Sequence, residues 1–216
     1  MLRKETVSRP TLELLKTLMN DPMLARFFLV GGTALALHIG HRISIDLDLF
    51  STETFDSEQL LEHLEMQYYY ELDYRGNNTL KGSINGIKVD LISHRYPMAD
   101  AILVTEEVRM ASLKDIAAMK LNAISDNGTR LKDFVDIAFL SNSLNLFDMI
   151  NAFQIKYASR NPTMLIKALD YHTDIDFTDS IELLNGNYNW GDIEQRLKFM
   201  TVKPQTLFTE LPIRRH

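Results

Sequence analysis

Two short apolar segments arranged around a glycine pair constrain the fold of this chain more than any other feature. The first segment, Phe27 to Val30, runs directly into Gly31-Gly32-Thr33, and an alanine- and leucine-rich stretch continues to Ile39. The second segment, Ile43 to Phe50, alternates apolar and polar residues. This order predicts a buried strand, a tight turn into a short helix, and a second strand with one polar face.

The polar face of the second strand indicates a cation site. Side chains alternate along a strand, so Ser44, Asp46 and Asp48 are expected on one face. Two carboxylates on one face repel each other, but they become favourable when a hard divalent cation such as Mg²⁺ lies between them. The alternative is the solvent face of an edge strand, although aspartate is disfavoured in strands. The opposite, apolar face is expected to carry Ile45, Leu47 and Leu49.

The glycine pair indicates a phosphate site beside this cation site. A turn at the start of a helix offers backbone N–H groups to an anion. The alternative is that Gly31-Gly32 only makes a tight turn. A phosphate site next to a divalent cation is typical of nucleotide chemistry.

Three strand-like segments follow, Tyr68 to Tyr74, Thr79 to Ile84 and Ile87 to Ser93. Asn85-Gly86 joins the last two, and this dipeptide between alternating runs is a strong hairpin signal. The pattern therefore predicts an antiparallel meander rather than a doubly wound parallel sheet. Asp90 of the last strand is a candidate third carboxylate for two-metal phosphoryl chemistry, or else a polar residue on a solvated face.

Beyond these strands the periodicity becomes helical, and the composition is that of a globular protein. We predict an α+β protein with a mixed β-sheet domain flanked by helices over residues 1–110. A helical region over residues 111–216 is expected to pack on this domain and to close a cleft. The predicted helices of this region span Ser112 to Ser125, Arg130 to Leu140, Leu146 to Tyr157, Thr163 to Leu169 and Asp192 to Met200.

Composition excludes several classes of function. The 216 residues include no cysteine, which excludes disulfides, thiolate metal sites and a cysteine nucleophile. The net charge of −6 argues against broad, non-specific binding of nucleic acid. The N-terminus lacks the apolar segment of a signal peptide, and we find no apolar run of membrane-spanning length. We therefore expect a cytoplasmic protein with no membrane partner.

A lysine in the helical region is a candidate for binding phosphate. Lys120 interrupts an apolar stripe at helical spacing, so its ammonium group has to pair or to reach solvent. A nucleotide triphosphate is one suitable partner, and an ion pair with Asp133 or Asp136 is the alternative. Lys132 and Asp136 are four residues apart and are interpreted as a helical ion pair or a solvated helix surface.

These motifs together resemble the nucleotidyltransferase superfamily and, more closely, the AbiEii family of toxin-type nucleotidyltransferases. The resemblance covers residues 27–140. The motifs that carry it are Gly31-Gly32-Thr33-Ala34-Leu35, Arg42 to Phe50, Met119-Lys120 and Lys132-Asp133-Phe134-Val135-Asp136.

The resemblance implies roles for individual residues. Asp46 and Asp48 are expected to hold Mg²⁺ or Mn²⁺, with Asp90 in the position of the superfamily's third carboxylate. Lys120 is expected to contact the triphosphate, and Asp133 to complete the active site. Nucleotide binding is expected from Gly31, Gly32, Thr33, Ser44 and Arg42.

The activity implied by this resemblance is Mg²⁺-dependent transfer of a nucleoside monophosphate from ATP, GTP or CTP to an acceptor hydroxyl. The expected acceptor is RNA, such as the 3′ end of a tRNA, and the expected partner is an antitoxin protein. The alternatives are a protein or small-molecule acceptor, or an inactive fold that binds nucleotide or a partner protein. A basic cleft rim built from Arg42, Arg95, Arg109 and Arg130 would favour an RNA acceptor, and its absence would favour a protein or small-molecule acceptor.

Overall fold

The computed structural model describes residues 1–213, which form two compact units. The predicted boundary after residue 110 falls close to the start of the long segment of unit 2. Two short segments from the first half of the chain also belong to unit 2, because their contacts are made there. Unit 1 comprises Met1–His38, Ser44–Pro97 and Ile102–Ala111, and unit 2 comprises Ile39–Ile43, Met98–Ala101 and the chain from Ser112 onward. Residues 214–216 of the predicted helical region lie outside the described part.

Unit 1 is built on a seven-stranded mixed sheet. Its strands are β1 (Phe28–Val30), β2 (Leu47–Ser51), β3 (Glu71–Gly76), β4 (Thr79–Ile84), β5 (Ile87–Ser93), β6 (Leu103–Thr105) and β7 (Val108–Met110). They lie in the order β3-β4-β5-β2-β1-β7-β6. The pairs β2–β5 and β1–β7 are parallel and the other pairs are antiparallel. The predicted α+β class with a mixed sheet is confirmed.

The meander β3-β4-β5 is antiparallel, as the sequence predicts. Asn85 and Gly86 both adopt positive φ in the β4–β5 turn, which is the geometry that an Asn-Gly hairpin favours. The sequence did not predict β6 and β7. Their connecting residues, Glu106 and Glu107, also adopt positive φ, but glutamate carries no turn signal.

The strand that carries the acidic pair begins later than predicted. β2 starts at Leu47, and the expectation that Ile45 shares the buried face is wrong, since Ile45 is 65% exposed. The backbone before Leu47 bonds outside the sheet, where the Ser44 amide donates to the Thr6 carbonyl at 2.9 Å. β2 is the middle strand of the sheet, so the edge-strand interpretation of Asp48 is also wrong.

Three helices complete unit 1, namely α1 (Arg9–Asn20), α2 (Gly31–Ile39, whose last residue belongs to unit 2) and α3 (Ser57–Tyr68). The sequence marks the start of α3 by Asp56, whose carboxylate accepts from the amides of Glu58 and Gln59. The sheet face opposite Asp48 is part of the core. Its buried residues include Leu47, Leu49, Val89 and Leu91.

Unit 2 contains five helices in its described part. They are α4 (Leu113–Asp126), α5 (Leu131–Leu140), α6 (Leu146–Lys156), α7 (Pro162–Asp170) and α8 (Trp190–Val202). Helix α4 packs against α5, α6 and α7, so its residues lie at the centre of the unit. Within residues 1–213 no helix combines the length and the apolar character that crossing a bilayer requires.

Candidate active site

A row of charged side chains crosses unit 1 on one face of the sheet. Asp48 of β2 is in register with Asp90 of the parallel strand β5. Lys81 of β4 is in register with Asp90 on its other side. Residues in register on neighbouring strands lie about 4.8 Å apart and project to the same face. The predicted carboxylates Asp48 and Asp90 are therefore brought together, and Lys81 lies beside Asp90. We refer to these three residues as the carboxylate row.

Asp90 occupies a nearly dry position in this row. The residue is 5% exposed, and its Oδ1 atom has no hydrogen-bond partner, while Lys88 Nζ lies 3.7 Å from Oδ2. Burial raises the pKa of Asp90, and the charge of Asp46 adds to this, while Lys88 and Lys81 oppose it. A buried carboxylate oxygen without a donor is suited to binding a cation.

Asp46 lies just before β2, and the predicted phosphate-binding hydroxyls hold its backbone. Thr33 Oγ1 is buried, hydrogen bonds to the Asp46 carbonyl and lies 2.8 Å from Ser44 Oγ. A hydroxyl has one hydrogen and a carbonyl only accepts, so Thr33 donates to Asp46 and accepts from Ser44. This chain of bonds fixes the backbone of Asp46, whose side chain is exposed. The phosphate contacts of Thr33 and Ser44 stay a prediction.

The glycine turn lies directly against the carboxylate row. Gly31 adopts φ +71°, and a Cβ atom there would clash with Asp48 Oδ2 and lie 3.2 Å from Cγ. Helix α2 follows β1 without a loop, and Val30 has no side-chain acceptor to cap it. The first turn of a helix presents N–H groups that lack an acceptor within the helix, and Gly31 and Gly32 belong to this turn.

In unit 2, Lys120 is buried between two carboxylates of α5. Its Nζ atom lies 2.8 Å from Asp133 Oδ1 and 2.6 Å from Asp136 Oδ2. Burial alone would lower the pKa of Lys120, but Asp133 and Asp136 outweigh it and hold the pKa above its ordinary value. The ion pairs that were the alternative interpretation of Lys120 are therefore present. Its predicted contact with a triphosphate stays a prediction.

Asp136 is the centre of this network, and its interpretation as a solvated surface residue is wrong. It is fully buried, and Arg42 reaches it with two hydrogen bonds of 2.7 and 3.0 Å. His41 Nε2 lies 2.7 Å from Asp136 Oδ1. Burial opposes ionisation, yet Arg42, Lys120 and His41 hold the pKa of Asp136 well below its usual range. Lys132 instead lies 3.4 Å from Asp179.

The four arginines considered for a basic rim differ in their surroundings. The Arg42 guanidinium binds Asp136, and Arg109 donates to the carbonyls of Met19, Leu24 and Phe27 within unit 1. Arg42 and Arg109 therefore have structural partners, while Arg95 is exposed. The nucleotide-binding role of Arg42 stays a prediction. Arg130 is largely exposed and its Nε atom lies 3.5 Å from Asp133 Oδ2.

Comparison with known proteins decides the family. The family model described as "Nucleotidyl transferase AbiEii toxin, Type IV TA system" matches residues 13–68 and 81–204. The chain belongs to the AbiEii nucleotidyltransferase toxin family. An uncharacterised protein of Aquifex aeolicus (strain VF5) is 32% identical over 154 residues, which are 68% of this chain and 74% of that protein. The predicted family and enzyme class are confirmed: this AbiEii-family protein is a nucleotidyltransferase.

Solved structures share the fold. JHP933 from Helicobacter pylori is 20% identical, with a TM-score of 0.54, over 91% of this chain and 92% of its own. MenT4, a nucleotidyltransferase toxin from Mycobacterium tuberculosis H37Rv, is 16% identical, with a TM-score of 0.56. That match covers 82% of this chain and 74% of MenT4.

The carboxylates of this AbiEii-family enzyme fit a magnesium ion. Within residues 1–213 no three acidic or histidine side chains converge into a cation cage. Mg²⁺ does not require one, because it is usually bound by one or two carboxylates together with water and substrate phosphates. Asp48 and Asp90, with the unpartnered Oδ1 of Asp90, supply such a pair. Asp46 is the third candidate, since its charge acts on Asp90.

Replacing Gly31 by alanine tests the contact between the glycine turn and Asp48. We expect Gly31→Ala to lower transfer activity about tenfold or more, because the added methyl group displaces the Asp48 carboxylate. The positive φ alone costs about 1–2 kcal/mol of stability. The matched control is Gly86→Ala, which has φ +76° and open space around its Cβ position. Equal activities of these two variants, measured alongside their melting temperatures, would contradict the expectation.

Proposed function

We propose that this protein uses Mg²⁺ to transfer a nucleoside monophosphate from a nucleoside triphosphate to a 3′ hydroxyl of RNA. The observation that carries the proposal is the carboxylate pair Asp48 and Asp90 directly beside the Gly31 turn. The proposed cation site and the proposed anion site would thereby be adjacent within unit 1. This is the combination that a metal-bound triphosphate requires.

Different residues of unit 1 would bind the metal ion and the phosphates. Asp46, Asp48 and Asp90 would hold the ion, and the N–H groups of Gly31 and Gly32 would bind the leaving phosphates. Bound Mg²⁺ supplies a Lewis acid that stabilises charge on the phosphate oxygens. The acceptor oxygen forms a bond to the α-phosphorus while the bond from this phosphorus to the bridging oxygen breaks. Pyrophosphate leaves with that electron pair, and the hydroxyl proton passes to water.

Lys120 and Asp133 remain the proposed active-site residues of unit 2. The raised pKa keeps Lys120 a cation at neutral pH, as a phosphate contact requires. Asp133 holds the Lys120 ammonium through a 2.8 Å hydrogen bond. A triphosphate would therefore compete with Asp133 and Asp136 for this cation, so that Lys120 is a weaker candidate than the unit 1 carboxylates.

The proposal also covers the acceptor molecule and the partner protein. The family description names a type IV toxin–antitoxin system, and MenT4 is named a toxin. We therefore propose that the protein acts as a toxin in the cytoplasm, that tRNA is a candidate acceptor, and that an antitoxin protein is its partner. A protein or small-molecule acceptor is the second candidate, because Arg42 and Arg109 have partners within their own units.

The test incubates the protein with each α-labelled nucleoside triphosphate, Mg²⁺, and either total RNA or total protein. We expect label in RNA, in the tRNA size range, and none with Asp46→Ala or with EDTA. Label in the protein fraction would identify the second candidate. Labelling by Asp46→Ala at the unchanged rate would contradict the mechanism, and Mg²⁺-dependent nucleotide binding without any transfer would indicate an inactive fold.

A further inference from the structure

Three aromatic rings lie next to the carboxylate row on the same face of the sheet. Phe50 is two residues beyond Asp48 on β2, which places it about 7 Å further along the strand. The His94 ring, just after β5, lies 5.2 Å from the Phe50 ring at an angle of 35°. The Tyr96 ring lies 4.7 Å from the His94 ring at 43°. We define Phe50, His94 and Tyr96 as the aromatic platform.

The platform is held in place by the sheet, and its three residues are partly exposed to solvent. The His94 amide donates to the Ser51 carbonyl at 2.7 Å, which extends the β2–β5 pairing to this residue. Tyr96 is 45% exposed, and Phe50 and His94 are partly exposed. Exposed aromatic faces gain less from burial than core residues do, and they bind planar groups such as nucleobases.

The platform and the glycine turn lie on opposite sides of the carboxylate row. β1 runs antiparallel to β2, with Phe28 in register with Phe50 and Val30 in register with Asp48. Gly31 therefore follows on the side of the row that faces away from Phe50. In phosphoryl transfer the attacking and leaving oxygens are roughly in line through the phosphorus. If the leaving phosphates bind at the glycine turn, the acceptor hydroxyl approaches the phosphorus from the opposite side of the carboxylate row, where the platform lies.

Charge supports a nucleic-acid ligand on this side. Arg95, between His94 and Tyr96 in the chain, is exposed and adds a positive charge to this segment. Lys81 lies in the carboxylate row on the same face. Stacking on aromatic rings combined with basic groups along the backbone is the usual way in which proteins bind single-stranded RNA.

We propose that the platform of Phe50, His94 and Tyr96 stacks the 3′-terminal base of a single-stranded RNA acceptor. This proposal rests on the proposed function for the direction from which the acceptor enters. It assigns the base of the acceptor, and not the base of the nucleoside triphosphate, to these rings. The affinity for the acceptor should therefore depend on the rings, and the affinity for the triphosphate should not.

Equilibrium binding tests the proposal without requiring transfer. The probe is a 5′-fluorescein oligoribonucleotide of about ten nucleotides, measured by anisotropy against the full chain. We expect Tyr96→Ala and His94→Ala each to weaken binding about 5- to 150-fold, as stacking by one base predicts. Tyr96→Phe keeps the ring and should bind the oligoribonucleotide as tightly as the unchanged protein does. An oligoribonucleotide whose last nucleotide is abasic should bind the unchanged protein weakly, and its affinity should not change with these substitutions.

Controls separate the possible failures. Tyr69→Ala removes an aromatic ring that is 83% exposed at the end of α3 and should leave binding unchanged. Weaker binding of Mg²⁺–nucleoside triphosphate with unchanged RNA binding would assign the platform to the triphosphate and overturn the proposal. Unchanged binding of both RNA and Mg²⁺–nucleoside triphosphate by the ring variants would also overturn the proposal. If the ring substitutions weaken RNA binding but no RNA is labelled in the transfer assay, the proposed function is wrong and the proposed RNA-binding role of the platform is retained.

Discussion

Replacing Asp48 by asparagine should lower the rate of nucleotidyl transfer about 10³-fold or more, with the fold intact. Asparagine keeps the size of the side chain but removes the charge that would hold the cation beside Asp90. Cation stabilisation of the transition state contributes several kcal/mol, and each 1.36 kcal/mol is a factor of ten in rate. The measurement is incorporation of an α-labelled nucleoside triphosphate at saturating nucleotide over a range of Mg²⁺ concentrations.

The same substitution should not destabilise the protein. In Mg²⁺-free buffer, Asp48→Asn removes the repulsion between two neighbouring carboxylates, so the melting temperature should stay equal or rise. The matched control is Asp73→Asn, on the exposed edge strand β3, which should transfer at the unchanged rate. Transfer by Asp48→Asn within tenfold of the unchanged protein would contradict the role of Asp48.

The second large effect is on stability. We expect Asp136→Asn to lower the free energy of unfolding by about 3–5 kcal/mol, because it leaves buried cationic groups of Arg42 and Lys120 without this carboxylate. Urea unfolding followed by circular dichroism measures the change. The matched control is Asp174→Asn, an exposed carboxylate of the same unit, which should leave stability unchanged. A loss below about 1 kcal/mol would show that this network contributes little.

The contribution of Asp136 should depend on pH in a defined direction. Its pKa is held well below the usual range in the folded protein, so the unfolded chain binds this proton more readily. The stabilisation is therefore fully present above the unfolded pKa of about 3.9 and is lost as the pH falls towards the folded pKa. The difference in stability between the unchanged protein and Asp136→Asn should be constant near pH 7 and shrink below about pH 4.

Local signals in the sequence predict the elements that carry the candidate site. The alternation of Leu47 to Phe50 fixes the face of Asp48, and Asn85-Gly86 fixes the β4–β5 hairpin. The hairpin even implies the position of Lys81, because a two-residue turn at Asn85-Gly86 places residues 81 and 90 opposite each other. The observed register of Lys81 with Asp90 agrees with this signal.

The parts that could not be predicted depend on contacts between residues distant in sequence. Asp136 lies on α5, four residues after Lys132, and local spacing favoured that pair. Its partner Arg42 is 94 residues away, and nothing in the local pattern indicates this contact. The stacking of His94 on Phe50 likewise depends on parallel pairing of β2 with β5, and parallel pairing has no turn signal of its own.

The two units are interleaved along the chain, and this limits how the protein can be divided. A fragment that starts at Ser112 would carry Asp136 without His41 and Arg42, and Asp115 without the amides of Ala99 and Asp100 that it accepts. Expressing the helical part alone would thus leave two buried carboxylates with only part of their donors, Lys120 for Asp136 and Ser112 and Lys156 for Asp115. The helical half is therefore not an independent module, because donors to its buried carboxylates come from residues 39–43 and 98–101.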